Sequence, residues 1–252
     1  MDEARKLGVF NAAAEKLAAA FWPGPLTLVV PRMADCSVDP LASAGLDTLA
    51  LRVPSHRLAQ RVLADFGGPL VAPSANPSGR LSPSSATHVA ALMPGIDVLD
   101  GGACPIGLES SIVGCVDNTP LWLRAGGLAR EDIETVLGVR LAELPESDAE
   151  TAKLAPGRLA RHYAPQSALR LNAETMQDNE WLIGFGPNAP DVCVANLSLK
   201  GNLTEAAAQL FAVLHRLDEA AQKQGKSLAI MPIVETGLGE AINDRLRRAA
   251  HR

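Results

Sequence analysis

Positive charge is in short supply. The 252 residues carry 23 lysines and arginines against 28 aspartates and glutamates, a net charge of −5. Bulk charge therefore does not draw the chain to nucleic acid or to anionic membranes, although a local basic patch is compatible with that total. Long apolar runs are also lacking: none approaches the roughly 18 residues that span a bilayer. The first ten residues, MDEARKLGVF, are charged and without an apolar core, so no signal peptide is expected. Cysteine is sparse. Cys36, Cys104, Cys115 and Cys193 form no CxxC pair, which favours free thiols in a reducing cytoplasm over zinc or disulfides. There are five histidines, none at a motif spacing from a carboxylate or cysteine, and no nucleophile elbow, Walker loop or GxGxxG. A triad hydrolase and a zinc enzyme have little support, and no metal ligands are expected.

What is present is punctuated alternation. Forty-seven per cent of the residues are hydrophobic, enough at this length for one large domain or two smaller ones with real cores. Leu7, Phe10, Ala14, Leu17 and Phe21 predict one helix, which WPGP must end. LTLVV (26–30) and TLALRV (48–53) predict strands, HRLAQRVLADF (56–66) an amphipathic helix, and PLVA (69–72) a short strand. A helix is expected to start at Ser82 with Pro83 in its first turn. GLESSIVGCV and PLWLRAGGL read as paired strands, and 130–137 as a helix. From 144 to 166 the chain is polar, rich in proline and aperiodic, a linker by composition. Beyond it, EWLIGFG, VCVANLS and LAIMPIV read as strands, with helices over 203–224 and GEAINDRLRRAA. The class is α/β.

Small polar residues and arginines at strand ends are the candidates for chemistry. Arg52 and Thr48 share one face of their strand, and arginine's fork suits a carboxylate or phosphate. An ordinary surface arginine fits that segment as well. VAPSANPSGR (71–80) offers Ser74, Asn76 and Ser78 beyond a strand end, where open α/β sheets bind ligands, and the helix start beyond it suits phosphate. A capped turn explains the same residues. Ser110 and Ser111 interrupt an apolar strand, Arg124 precedes two glycines, and His162 sits where the linker could supply a lid.

In order, FWPGPLTLVV, LALRVPSH, APSANPSG…SP, IGLESSIV and LRAGG resemble the YrdC-like threonylcarbamoyl-AMP synthases. PGRLARHYAP and GLGEAINDRLRRAA resemble the linker and carboxyl domain of the family's long form. The resemblance implies an open, twisted mixed sheet over 1–143, a linker folding over the active site at 144–166, and a smaller Rossmann-like domain at 167–252. It implies formation of threonylcarbamoyl-AMP and pyrophosphate from L-threonine, bicarbonate and ATP, with Mg²⁺, by a cytoplasmic nucleotidyltransferase. The product would feed the tRNA threonylcarbamoyl transferase machinery that modifies ANN-decoding tRNAs. Carried over motif by motif, Arg52, Ala72 and Ser110 would bind threonine, and Thr48, Ser74, Ser82, Arg124 and His162 would contact ATP. Catalysis would rest on positioning and charge stabilisation, without a covalent nucleophile.

Family members also carry a KxRP segment ahead of FWPGPLTLVV, and these 252 residues contain none. The expectation is a catalytic domain incomplete at its N-terminus, whose threonine-dependent pyrophosphate release is weak until an upstream segment is restored. The competing readings are an RNA- or tRNA-binding YrdC-like module without catalysis, an inactive remnant, and a carbamoyl-adenylate-forming relative of hydrogenase maturation factors.

Overall fold

A computed structural model describes residues 1–143 and 163–251. The helices in chain order are α1 (Asp2–Leu7), α2 (Ala12–Phe21), α3 (Arg57–Phe66), α4 (Ala86–Leu92), α5 (Arg130–Leu137), α6 (Leu203–Gln224) and α7 (Leu238–Ala250). The strands are β1 (Leu26–Pro31), β2 (Thr48–Leu51), β3 (Ser111–Gly114), β4 (Leu121–Arg124), β5 (Ala142–Glu143), β6 (Leu169–Arg170), β7 (Glu180–Gly184), β8 (Ala195–Asn196) and β9 (Ser227–Ile230). They divide into two units, the first made of Met1–Pro73 with 109–143, the second of Ser74–Leu108 with 163–251.

The first unit is a mixed sheet in the order β2-β1-β3-β4-β5. β1 runs antiparallel to β2 and parallel to β3, and β3 runs antiparallel to β4. Every β1 residue from Leu26 to Val30 is buried, because both faces of this central strand are covered. Leu26, Leu28 and Val30 pack with Ala14, Leu17 and Ala18 of α2 and Ile133 of α5. Val29 turns the other way, to Ile112 and Leu123.

The single N-terminal helix expected from the three- and four-residue spacing is two helices. Gly8 separates them: a Cβ there would lie 2.4 Å from Val30 Cγ2. Asn11 then restarts the helix as N-cap, its side chain accepting from the Ala14 N–H. The strand expected at 69–72 is also absent. A strand needs a ladder partner, and no described strand pairs there; Val71 is 70% exposed. Arg52 and Val53 lie just beyond β2 rather than within it.

The second unit is an all-parallel sheet in the order β6-β9-β7-β8, as a Rossmann-like domain requires. Asn202 caps α6 and Gly225, at φ 64, ends it. The core runs from Leu169, Ile183 and Leu228 in the sheet to Leu210, Phe211 and Leu214 of α6 and Ile242 of α7. Leu81, from the sequence-distant stretch 74–108, belongs to this core. Gly107 of the same stretch lies so close to α6 that a Cβ would sit 2.1 Å from the Ala207 carbonyl oxygen. α4 begins at Ala86, capped by Ser85, not at Ser82. Ser82 and Ser84 are buried instead of capping. The strands VCVANLS and LAIMPIV shorten to β8 and β9.

Candidate functional site

Register brings the start of β1, the end of β2, the start of β3 and the end of β4 to one end of the first sheet. Leu28 pairs with Leu51, Leu26 with Ser111, and Ile112 with Arg124. The residues at that end are polar. Thr27 Oγ1 and Ser110 Oγ lie 2.6 Å apart, both buried. Arg124 donates from Nε and Nη2 to the Ser110 carbonyl at 3.1 and 2.8 Å, and Nη2 lies 3.3 Å from Ser110 Oγ. Ser111 points elsewhere. Its hydroxyl donates to the Leu128 carbonyl at 2.6 Å and accepts from the Leu128 N–H at 3.0 Å, pinning the loop after β4. Of the adjacent serines, only Ser110 belongs to the polar strand end.

Arg52 is oriented by the WPGP turn. Its Nε donates to the Gly24 carbonyl at 2.9 Å, and the Gly24 N–H donates back to the Val53 carbonyl at 2.9 Å. The turn is tight: a Cβ on Gly24 would lie 2.2 Å from the Phe21 carbonyl oxygen. The terminal nitrogens of Arg52 make no hydrogen bond to a described residue. Partial burial lowers its pKa from the ordinary value, but arginine stays charged across the working pH range. The site thus presents a fixed, cationic, planar donor pair beside buried hydroxyls, suited to a carboxylate.

The other predicted residues are placed as follows. Thr48 pairs with Pro31 at the far end of β2, four residues and about 13 Å from Arg52 along the strand. Ala72 is in exposed, irregular chain. Ser74 is exposed and Ser82 buried, both in the second unit. His162 and nearly all of the expected linker lie outside the described residues. The helix whose start suits phosphate by sequence has only seven residues, and its first turn is occupied by Ser85 and His88. Among the described residues no cluster of three His, Cys, Asp or Glu side chains could hold a metal ion.

A family model described as "Telomere recombination" matches residues 1–126, and one described as "Threonylcarbamoyl-AMP synthase, C-terminal domain" matches 128–251. The threonylcarbamoyl-AMP synthase of Bacillus subtilis is 34% identical, over 94% of this chain and 72% of its own length. That of Pyrococcus abyssi is 37% identical, over 94% and 73%. This chain belongs to the threonylcarbamoyl-AMP synthase family. The crystal structure of P. abyssi Sua5 complexed with L-threonine superposes with a TM-score of 0.85 at 34% identity, covering 99% of this chain and 77% of that one. The fold is therefore the two-domain form of these synthases.

Within this synthase fold, several residues shape the site without a local sequence signal. Thr27 looks like one more β-branched strand residue, and only the β1–β3 register sets its hydroxyl on Ser110. Gly126 shows by sequence only as one of the two glycines after Arg124. Its actual constraint is close approach: a Cβ would lie 2.4 Å from Glu109 O, Ser110 C and Ser111 N. Asn76, a candidate by sequence, lies in the second unit and braces its own loop, with Nδ2 donating to the Pro77 and Arg80 carbonyls at 3.1 and 3.2 Å. Its Oδ1 is buried without a partner among the described residues.

Proposed function

We propose that this enzyme makes threonylcarbamoyl-AMP from L-threonine, bicarbonate and ATP, releasing pyrophosphate. The observation that supports it beyond family membership is the strand-end cluster of Arg52, Thr27, Ser110 and Arg124. In this reading the Arg52 fork takes the threonine carboxylate, with Ser110 and the Ala72 backbone beside it. Thr48, Ser74, Ser82, Arg124 and His162 contact ATP. The functional division follows the sequence: residues 1–143 catalytic, 144–166 a lid-forming linker, 167–252 a partner domain.

Two bonds must form. The threonine amine adds to the bicarbonate carbon, a C–O bond breaks and water leaves, giving a carbamate; a carbamate oxygen then attacks the α-phosphorus as its bond to pyrophosphate breaks. Neither step needs a protein nucleophile. The residues act by holding the reactants in line and offsetting anionic charge. Bound Mg²⁺ would supply charge neutralisation for the nucleotide, and since it keeps several waters and takes few protein ligands it would need no carboxylate cluster from the described residues. Among the described residues no helix is long and apolar enough to cross a membrane, and a cytoplasmic enzyme serving tRNA modification fits.

Calorimetric titration with L-threonine tests the first half of the assignment, because no KxRP segment for the triphosphate lies in these 252 residues. The expected result is saturable binding that discriminates against threonine amide, whose blocked carboxylate cannot engage the fork. Equal affinity for the amide would misassign the fork. Incubation with ATP, bicarbonate and threonine, read by mass spectrometry for the adenylate, tests the whole. An enzyme that binds neither threonine nor ATP would sink the proposal.

A further inference from the structure

The stretch that carries Ser82 is held from the carboxyl part of the chain by an imidazole. His215, midway along α6, sets Nε2 3.0 Å from the Ser82 carbonyl. A carbonyl only accepts, so Nε2 carries the proton. The same ring stacks on His88 of α4, centroids 4.1 Å apart and planes inclined by 29°. His88 Nδ1 accepts from the Ser84 N–H at 3.2 Å and lies 3.3 Å from Ser84 Oγ. The Ser84 carbonyl accepts from the Cys104 N–H at 2.9 Å. Leu81, Ser82 and Ser84 are all buried, so three residues of one short stretch are anchored, two of them through the histidines.

Packing alone does not require this chemistry. A phenylalanine or leucine would fill the same stacked volume, whereas the imidazole adds a donor aimed at one backbone carbonyl. Burial lowers the pKa of both rings, and the His215 ring lowers that of His88 further, which keeps both in the neutral form that can stack and donate as described.

We propose that His215 is a positioning residue for the nucleotide: by holding the Ser82 carbonyl, with His88 as stacking partner, it sets where Ser82 meets ATP. This rests on the assignment of Ser82 to ATP made above. The test compares the 252-residue wild type with His215→Phe, which keeps a stacking ring without the donor, and His215→Gln, whose amide can still donate. Hydrogen exchange reports the loop, and titrations with ATP and separately with L-threonine report the ligands. In His215→Phe, exchange at Ser84 and Cys104 should quicken about tenfold. ATP affinity should fall about fivefold or more with threonine affinity unchanged, and His215→Gln should recover both.

Unchanged ATP affinity in His215→Phe, a parallel fall for threonine, or no recovery in His215→Gln would overturn the role. If the wild type itself binds neither ATP nor AMP, whose single phosphate needs no KxRP segment, the nucleotide assignment of Ser82 fails and takes the positioning role with it. If wild type and His215→Phe bind ATP equally, only the positioning role fails. Should His215→Phe not fold, the pH dependence of ATP affinity decides. The charged and titratable groups set against His215 are His88 from α4 and Asp218 from its own helix. Between about pH 7.5 and about 5.5, wild-type affinity should fall more steeply than that of His215→Gln, and equal slopes would overturn the proposal.

Discussion

At the scale of single residues, context decides what spacing cannot. By spacing alone Arg52 reads as an ordinary surface arginine; the WPGP turn makes it a fixed donor through the Gly24 carbonyl. Removing that fork should weaken L-threonine binding at least about tenfold, roughly 1.4 kcal/mol, in Arg52→Ala measured by calorimetry. Arg52→Lys should recover only part, since an ammonium cannot offer the planar pair. Wild-type affinity in Arg52→Ala would remove the residue from the threonine site. The two serines show the limit of legibility from the other side. Nothing in ESS says which hydroxyl pins Leu128 and which meets Thr27, because that depends on register across three strands. Gly126 is visible in the sequence only as a glycine. Three backbone atoms lie 2.4 Å from where an added methyl would sit, and none can swing aside. Gly126→Ala should therefore cost about 2–4 kcal/mol in chemical denaturation. An unchanged midpoint would show that the loop after β4 gives way freely.

At the scale of elements, the long and well-capped pieces are legible. α5 and α6 fall where periodicity puts them, because Asn202, Gly225 and Gly138 mark ends chemically, and α7 does so without a side-chain cap. The two-residue strands β5, β6 and β8 are too short to carry a period. The N-terminal break is more instructive. Leu7, Phe10 and Ala14 keep helical spacing straight across it, so the pattern continues where the backbone does not. Asn11 makes the break stable. Besides capping α2, its Nδ2 donates to the Cys115 and Asp117 carbonyls at 3.1 and 2.9 Å, tying the helix start to the turn after β3. Asn11→Ala should therefore lose more than an ordinary cap, about 2 kcal/mol. Asn11→Asp, which keeps the cap acceptor and lacks the donors, should lose less. Equal losses in the two variants, by urea denaturation, would mean that the retained cap acceptor contributes nothing.

At the scale of the whole molecule, the second unit joins residues far apart in sequence: Leu81 and the two serines after it are anchored on a core built from Tyr163 onward. No local signal announces such a join, which is why 74–84 reads by sequence as either a ligand loop or a capped turn, and never as core. The histidines at that join make stability depend on pH with a definite sign. Burial depresses the folded pKa of both His88 and His215 below 6.5, so in mildly acidic solution the unfolded chain binds more protons than the folded one. Their contribution is complete above about pH 6.5 and is lost as the pH falls from there through the depressed folded values. The paired carboxylates belong to a lower window. Arg170 holds Glu180, and Arg5 holds Glu15, below the usual carboxylate value of 4.5, so they give way only under stronger acid. Between about pH 7 and about pH 5 the imidazole pair should thus account for much of the fall in midpoint temperature. A His88→Asn, His215→Gln double variant, which keeps an acceptor toward Ser84 and a donor toward Ser82 without either titrating ring, should show a flatter profile by calorimetry. A double variant whose midpoint falls as steeply as the wild type's would mean that the pair is already protonated, or already apart, in the native protein.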